Sequence, residues 1–155
     1  LDVASVMIYN EYYTVLESGI ARGDLNVLDY ADYGLDFPGD LLFTSTAMAE
    51  ENPDLCTRMV RATLRGWQYA IENPEEAADI VLAYDQTGVQ TRQHQLSMMT
   101  EIAQLVQVQG RQVGRSDDAA LQRTINTLVQ FGVLGNSVAP EDVITNTFWD
   151  NAQNP

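Results

Sequence analysis

The order of apolar patterns along the chain is the feature that most constrains its fold. Short apolar, β-branched runs predict strands at residues 3–9, 25–30 and 41–44, with a helix over residues 11–18 between the first two. After residue 52, apolar residues recur at helical spacing almost to the end of the chain. The strand–helix–strand order predicts an α/β arrangement with a parallel sheet. The later helices require more sheet to cover than these three segments supply.

Asparagine–proline pairs mark two of the helix starts. Asn52-Pro53 and Asn73-Pro74 each place an N-cap residue before a proline at the first helical position, and Glu76 is spaced to complete a capping box with Asn73. Thr44, Ser45 or Thr46 is expected to cap a short helix that ends at residue 51. Further helices are predicted over residues 91–109, from residues 116–118 to 132, and over residues 140–149, followed by a frayed tail from residue 151.

Composition excludes several kinds of protein. The chain has 22 acidic and 8 basic side chains and a net charge of −14, so a nucleic-acid backbone would repel it. All the basic residues are arginine, which rules out a Schiff-base lysine within these residues. The single cysteine, Cys56, allows no intrachain disulfide or cysteine-based metal site, and we expect it to pack as a small apolar residue. We expect no metal and no cofactor.

The sequence offers little catalytic chemistry. His94 is the single histidine and lies in a polar helix start, which favours a solvent-exposed or capping role over a catalytic one. No HExxH, GxSxG or P-loop motif is present. Trp67 and Tyr69 lie at helical spacing and are expected to pack in the core, and Trp149 is expected to dock the last helix.

Aromatic residues cluster in the first 37 positions, with acidic and amide side chains among them. Tyrosine offers a flat apolar face and a polar tip, so the cluster suits stacking on a planar, nitrogen-bearing ring. Ordinary core tyrosines in an α/β unit would give the same pattern, and both interpretations stay open. Residues just past the carboxyl ends of strands face the ligand crevice in open α/β sheets. Tyr9, Asn10, Glu11 and Tyr33 occupy such positions.

Two runs of sequence carry a family resemblance. The first is residues 32–44, with the sequence DYGLDFPGDLLFT, and the second comprises residues 51–54, 61–67 and 70–77. The pair resembles the solute-binding proteins of bacterial ABC importers that are similar to the thiamine-pyrimidine synthesis enzymes of fungi. That family includes binders of thiamine precursors and of riboflavin, and alkanesulfonate and taurine binders are more distant relatives. The resemblance covers nearly the whole chain and is strongest from about residue 25 to 84.

The resemblance implies a two-lobed α/β fold of the periplasmic-binding-protein type II class, roughly twice as long as this chain. Residues 1–30 would form the end of the second lobe. Residues 31–44 would form the hinge crossover and a returning strand, and residues 45–155 the helical C-terminal part of the first lobe. A start at Leu1 and not at methionine agrees with the expectation of a C-terminal portion of a longer protein.

The resemblance also implies a binding site and partners. Residues 9–11 match a segment that lines the cleft, and residues 33–36 match the crossover at its floor. The ligand-binding candidates are therefore Tyr9, Asn10, Glu11, Tyr33, Asp36 and Phe37. The expected function is non-catalytic capture of a small heteroaromatic vitamin or precursor, by closure of the lobes, for delivery to an ABC permease in the membrane. We expect an extracytoplasmic location, periplasmic or as an anchored lipoprotein, and association with a missing N-terminal half or with a second copy.

Three alternatives remain at this point. One is a pyrimidine-synthesis enzyme of the same fold, although the family's fungal enzymes use a cysteine-rich motif and a pyridoxal cofactor, and this chain has neither a cysteine cluster nor a lysine. Another is a binder of alkanesulfonates or taurine. The third is a self-contained helical interaction module, which predicts that no large apolar helix face is exposed.

Overall fold

The computed structural model describes residues 3–107 and 110–153. The described residues divide into two compact units. The first unit draws on Leu1–Val27 and Leu64–Val113, and the second on Leu28–Thr63 and Gly114–Pro155.

The described residues are mostly helical. The α-helices are Glu11–Glu17 (α1), Thr46–Glu51 (α2), Pro53–Glu72 (α3), Pro74–Tyr84 (α4), Arg92–Val106 (α5), Asp118–Gln130 (α6) and Thr147–Ala152 (α7). Short 3-10 turns occur at Arg22–Asp24, Tyr30–Tyr33 and Pro140–Asp142. These bounds confirm the predicted helix starts at Pro53 and Pro74 and the predicted short helix that ends at Glu51. The predicted last residues of α5, 108 and 109, lie outside the described residues.

Side-chain caps fix several helix starts. The Ser45 hydroxyl accepts from the Met48 backbone N–H at 3.2 Å, at the start of α2. The Asp117 carboxylate accepts from the backbone N–H groups of Ala119 and Ala120 at 2.9 and 3.1 Å, at the start of α6. Each cap satisfies an N–H that has no partner inside the helix. The predicted starts at these two helices are confirmed.

The predicted capping box at α4 does not form. The Asn73 side chain makes no cap bond, and its amide donates to the backbone carbonyl of Tyr69 at 3.0 Å. Glu76 accepts from the Tyr69 hydroxyl, and this hydrogen bond raises the pKa of Tyr69 above its ordinary value. The preceding helix, α3, thus supplies partners for both side chains, and proline alone marks the start of α4.

No β-strand occurs among residues 3–107 and 110–153, so the three predicted strands are absent from this part of the chain. A strand requires ladder hydrogen bonds to an extended neighbour. Hydrogen bonds between near neighbours form in these segments instead. The Met7 carbonyl accepts from the backbone N–H groups of Asn10 and Tyr12, and the Asp29 carboxylate accepts from the Ala31 N–H. Most of the apolar side chains in these segments are exposed, with Phe43 at 90%. The periplasmic-binding-protein fold therefore stays a prediction.

The predicted helix over residues 140–149 is wrong, because this region contains a 3-10 turn and the separate helix α7. The Asn146 side chain is held by Ser116, accepting from its N–H at 2.9 Å and donating to its carbonyl at 3.1 Å. The Thr145 hydroxyl accepts from the Thr147 N–H at 3.2 Å. Such side-chain bonds compete with a continuous helix. The predicted fraying is also wrong at residues 151 and 152, since α7 continues to Ala152, which is buried; residues 154 and 155 lie outside the described residues.

Each unit has a small buried centre. In the first unit Tyr12, Ala78 and His94 are buried, and in the second unit Ala120, Ile125 and Ala152 are buried. The packing of α4 and α1 against α5 surrounds the first of these centres. Cys56 is half-buried, with its thiol 3.8 Å from the Met48 carbonyl oxygen.

Much of the apolar surface of the helices is uncovered. Trp67 and Tyr69 are 37% and 42% exposed, so the prediction that they pack in the core is wrong. Leu55 and Met59 on α3 are exposed as well. These faces contradict the self-contained helical module, which required its apolar faces to be covered. Among the described residues, no helix combines the length and apolar character needed to cross a bilayer.

Candidate ligand-binding site

The first candidate segment, Tyr9 to Glu11, forms the start of α1. Asn10 occupies the N-cap position, but its side chain makes no cap bond. Its amide oxygen lies 2.9 Å from Nε2 of His94, 84 residues further along the chain. Asn10 is half-buried, so part of its amide still faces outward. A long-range contact, and not a cap bond, therefore fixes this candidate binding residue.

Glu11, the first residue of α1, bonds to the chain that precedes the helix and does not cap it. Its Oε2 atom accepts from the Met7 backbone N–H at 3.0 Å, which holds the chain entering the helix. The Glu11 side chain is exposed, and Tyr9 is half-buried. A carboxylate has lone pairs for several donors, so this bond leaves Glu11 able to accept from a ligand.

His94 is buried, which contradicts the predicted solvent-exposed role. Thr91 caps α5 by accepting from the His94 backbone N–H at 3.2 Å, and this places the histidine in the first turn of the helix. Its Nδ1 atom lies 3.1 Å from both carboxylate oxygens of Glu17. Both ring nitrogens therefore lie within hydrogen-bonding distance of side-chain oxygens. The side chain joins the two ends of α1 to the start of α5.

A second pair of side chains ties α1 to α5. The Tyr13 hydroxyl donates to Oε1 of Glu101 at 2.6 Å, and this bond raises the pKa of Tyr13 above its ordinary value. The buried Tyr12 ring meets the Tyr13 ring edge to face, with centroids 6.0 Å apart, and the Arg22 guanidinium lies 5.3 Å from the Tyr12 centroid. Two of the clustered tyrosines thus have a structural role, as the core interpretation of the cluster predicted.

The second candidate segment, residues 30–37, belongs to the second unit. A 3-10 turn covers Tyr30–Tyr33, and Gly34 ends it in the left-handed region with φ +71°, which favours glycine. The Phe37 N–H donates to the Leu35 carbonyl at 3.0 Å. Tyr33 is 65% exposed and Phe37 41% exposed, and the Asp36 side chain is also exposed. Stacking surface and a carboxylate are therefore accessible within a few residues of each other.

An open groove of about 440 Å³ lies in the first unit and contains none of the predicted binding residues. Its polar groups are engaged locally: the Gln95 amide donates to Gln90 at 2.8 Å, and the Asp85 carboxylate accepts from Thr87 and from the Gln90 N–H. The hydrogen bond from the Thr87 hydroxyl lowers the pKa of Asp85. The remaining lining residues are Ile80, Val81 and Tyr84.

Sequence reasoning missed His94, Glu17 and Glu101 as parts of this region. Glu17 and His94 are 77 positions apart, and Tyr13 and Glu101 are 88 apart. No motif spacing relates residues so distant in one sequence. The signal in the sequence was the polarity of the residues around His94 on α5, and it predicted that the His94 side chain is exposed.

Comparison with known proteins places these segments in context. The family described as "NMT1/THI5 like" matches residues 1–77, which include both candidate segments. The Formylaminopyrimidine-binding protein of Halalkalibacterium halodurans is 28% identical over 81 residues, which are 52% of this chain and 24% of that relative. The match thus spans about a quarter of the relative's length. No solved structure matches the chain significantly. Residues 1–77, just under half of the chain, are therefore similar to the NMT1/THI5-like family.

Proposed function

We propose that this chain is part of a non-catalytic solute-binding protein that captures a small pyrimidine-like ring. The observation that carries the proposal is the family match over residues 1–77, together with a relative whose name specifies binding of a formylaminopyrimidine. The lack of lysine supports a binding role over pyridoxal chemistry by these residues, because a Schiff base requires a lysine amine.

The proposed contacts divide by chemistry. An aminopyrimidine has ring nitrogens that accept hydrogen bonds and an exocyclic amine that donates them. The Asn10 amide offers both a donor and an acceptor, and Glu11 and Asp36 offer acceptors. Tyr9, Tyr33 and Phe37 supply flat apolar faces for stacking. The exposure of Tyr33 and Phe37 supports this assignment, since an uncovered aromatic side chain is free to gain contact area.

The same proposal extends to transport. We infer that the whole protein has the two-lobed periplasmic-binding-protein type II fold and closes around its ligand. It acts outside the cytoplasm and delivers the ligand to an ABC permease in the membrane. We propose a thiamine pyrimidine or riboflavin as the ligand of this protein. The uncovered apolar faces of α3 support a larger protein or assembly, because burial of such faces stabilises a fold.

Calorimetry on the full-length protein that carries this chain tests the proposal. The ligands are a formylaminopyrimidine, thiamine, riboflavin and taurine. Tight binding of a pyrimidine or of riboflavin supports the proposed ligand class. Binding of taurine alone overturns it, and consumption of added pyridoxal phosphate would overturn the non-catalytic role.

A pair of matched variants tests the site. Asp36→Asn removes a proposed acceptor charge and is expected to weaken pyrimidine binding roughly tenfold, as for loss of a charge-assisted hydrogen bond. Asp40→Asn makes the same change at an exposed position four residues away and is expected to leave affinity unchanged. Equal affinities for both variants would remove Asp36 from the site.

A further inference from the structure

Two chemically different side chains, a carboxylate and an amide, contact the buried ring of His94. Glu17 presents two carboxylate oxygens at 3.1 Å from Nδ1, and an ionised carboxylate only accepts hydrogen bonds. Asn10 presents a side-chain amide at 2.9 Å from Nε2, and an amide both accepts and donates. Nδ1 therefore keeps its hydrogen in both charge states of the ring, and Nε2 is the atom that gains or loses a proton.

The charge of the ring then fixes the direction of the Asn10 amide. In the protonated ring Nε2–H donates to Oδ1, and the Asn10 NH₂ group points away from the histidine. In the neutral ring the Nε2 lone pair accepts, so the amide turns over and donates from Nδ2, and its carbonyl oxygen points away. The two ends of an amide are nearly equal in size, so the reversal requires no additional space.

The outward end of this amide is available to another molecule. Asn10 is half-buried, and within residues 3–107 and 110–153 its Nδ2 group donates to no protein acceptor. It therefore offers a donor in one charge state of His94 and an acceptor in the other.

We propose that His94 is a positioning residue that sets, by its protonation, whether Asn10 presents a donor or an acceptor to the bound ring. This proposal rests on the proposed function for the identity of the ligand. The reversal of the amide itself is a property of the protein alone. Ligands that need a donor at Asn10 are then favoured on the acidic side of the His94 titration, and ligands that need an acceptor on the basic side.

The charges around His94 leave Glu17 as its main electrostatic partner. On α5 itself, Arg92 is paired with Asp79 at 2.7 Å and Glu75 at 3.4 Å, both on α4. Glu101 is engaged by the Tyr13 hydroxyl of α1, and Arg22 lies over the Tyr12 ring. Glu17 is therefore the carboxylate that holds Nδ1–H in place.

Nitrogen-15 NMR of the histidine ring tests the proposal on the full-length protein without any ligand. The signal absent from His94→Gln identifies His94. We expect the neutral ring to carry its proton on Nδ1, and the Asn10 side-chain NH₂ signals to shift in step with the His94 titration. A neutral ring protonated on Nε2 would overturn the proposal, and so would Asn10 signals that do not shift as His94 changes charge.

Two carboxylate variants make a matched test. Glu17→Gln replaces the acceptor-only carboxylate with an amide that can either accept or donate, and is expected to abolish the preference for the Nδ1–H form. Glu75→Gln removes the same charge from an exposed side chain that contacts Arg92 rather than His94, and is expected to retain the preference. Loss of the preference in both variants would show that general charge, and not the Glu17 contact, controls the ring.

Ligand binding gives the second readout. With a formylaminopyrimidine as the probe, we expect the dissociation constant to change roughly fivefold across the His94 titration, as for one hydrogen bond gained or lost. His94→Gln is expected to flatten this profile. A flat profile in the unmodified protein would overturn the link to ligand binding. Failure of every pyrimidine to bind would reject the proposed function, and the NMR result would still decide whether His94 turns the amide.

Discussion

Two segments rich in aromatic and acidic side chains reach opposite outcomes in this molecule. In the first unit, Asn10 and Glu17 at the two ends of α1 are tied to the buried His94. In the second unit, residues 30–37 are shaped by turns between near neighbours, and Tyr33 stays 65% exposed. Similar composition thus gives a rigid polar cluster where distant partners meet, and an accessible surface where only local bonds form.

Replacing His94 with alanine is expected to cause the largest loss of stability. The change removes hydrogen bonds to Glu17 and Asn10 and leaves a cavity at a buried position. Together these predict a decrease of about 2–3 kcal/mol in the free energy of unfolding, measured by urea denaturation. Phe43→Ala, at a residue 90% exposed, is the control and is expected to stay within about 0.5 kcal/mol. Equal losses would contradict the stabilising role assigned to the contacts of His94.

Tyr13→Phe is expected to cost about 1 kcal/mol, because it removes one hydrogen bond to Glu101 and keeps the ring. The pKa of Tyr13 is raised in the folded protein, so this stabilisation is fully present below the ordinary tyrosine pKa. It is lost as pH rises through the raised pKa. Denaturation curves of both proteins from pH 7 to 11 check this, and a difference that grows with pH would contradict it.

Tyr33→Ala tests the exposed segment. Its side chain is 65% exposed, so we expect the free energy of unfolding to change by less than about 0.5 kcal/mol. If the ring stacks on the ligand, affinity for a pyrimidine falls roughly fivefold. A variant that loses stability and keeps affinity would assign Tyr33 to packing.

Thr87→Val gives the smallest expected effect and tests a purely local interaction. The Thr87 hydroxyl and N–H both donate to Asp85 and lower its pKa. The variant is expected to move the pKa of Asp85 up toward its ordinary value, as followed by NMR titration. Because the folded pKa is lowered, the stabilisation is present above the ordinary aspartate pKa and is lost as pH falls through the lowered one. An unchanged Asp85 titration would contradict the assignment.

Helix starts were predictable where the signal is local. Pro53 and Pro74 begin α3 and α4 as predicted, and Ser45 and Asp117 cap α2 and α6 through bonds to residues two or three positions away. The Asn73–Glu76 capping box was also a local prediction, and it failed because Tyr69 on the preceding helix engages both side chains. A local rule holds until a competing partner lies within reach.

Local sequence rules could not predict the absence of the strands from the described residues or the contacts of His94 with Glu17 and Asn10. The runs at residues 3–9, 25–30 and 41–44 have strand composition, yet strand formation depends on a neighbour that composition does not specify. For His94 the polar neighbours on α5 predicted exposure, whereas its burial depends on Glu17 and Asn10 from a distant part of the chain. Of the candidate site residues, Asn10 is the one whose long-range partner the structure identifies.

The sequence by itself determined where most helices begin, the net negative charge that opposes nucleic acid, and the family resemblance over residues 1–77. These depend on residues close in sequence or on composition. Tertiary structure alone decided that His94 is buried, that Asn10 binds it instead of capping α1, and that Tyr33 stays exposed. The physical reason is that burial and hydrogen-bond partners are set by which distant residues meet, and that depends on packing of the whole unit.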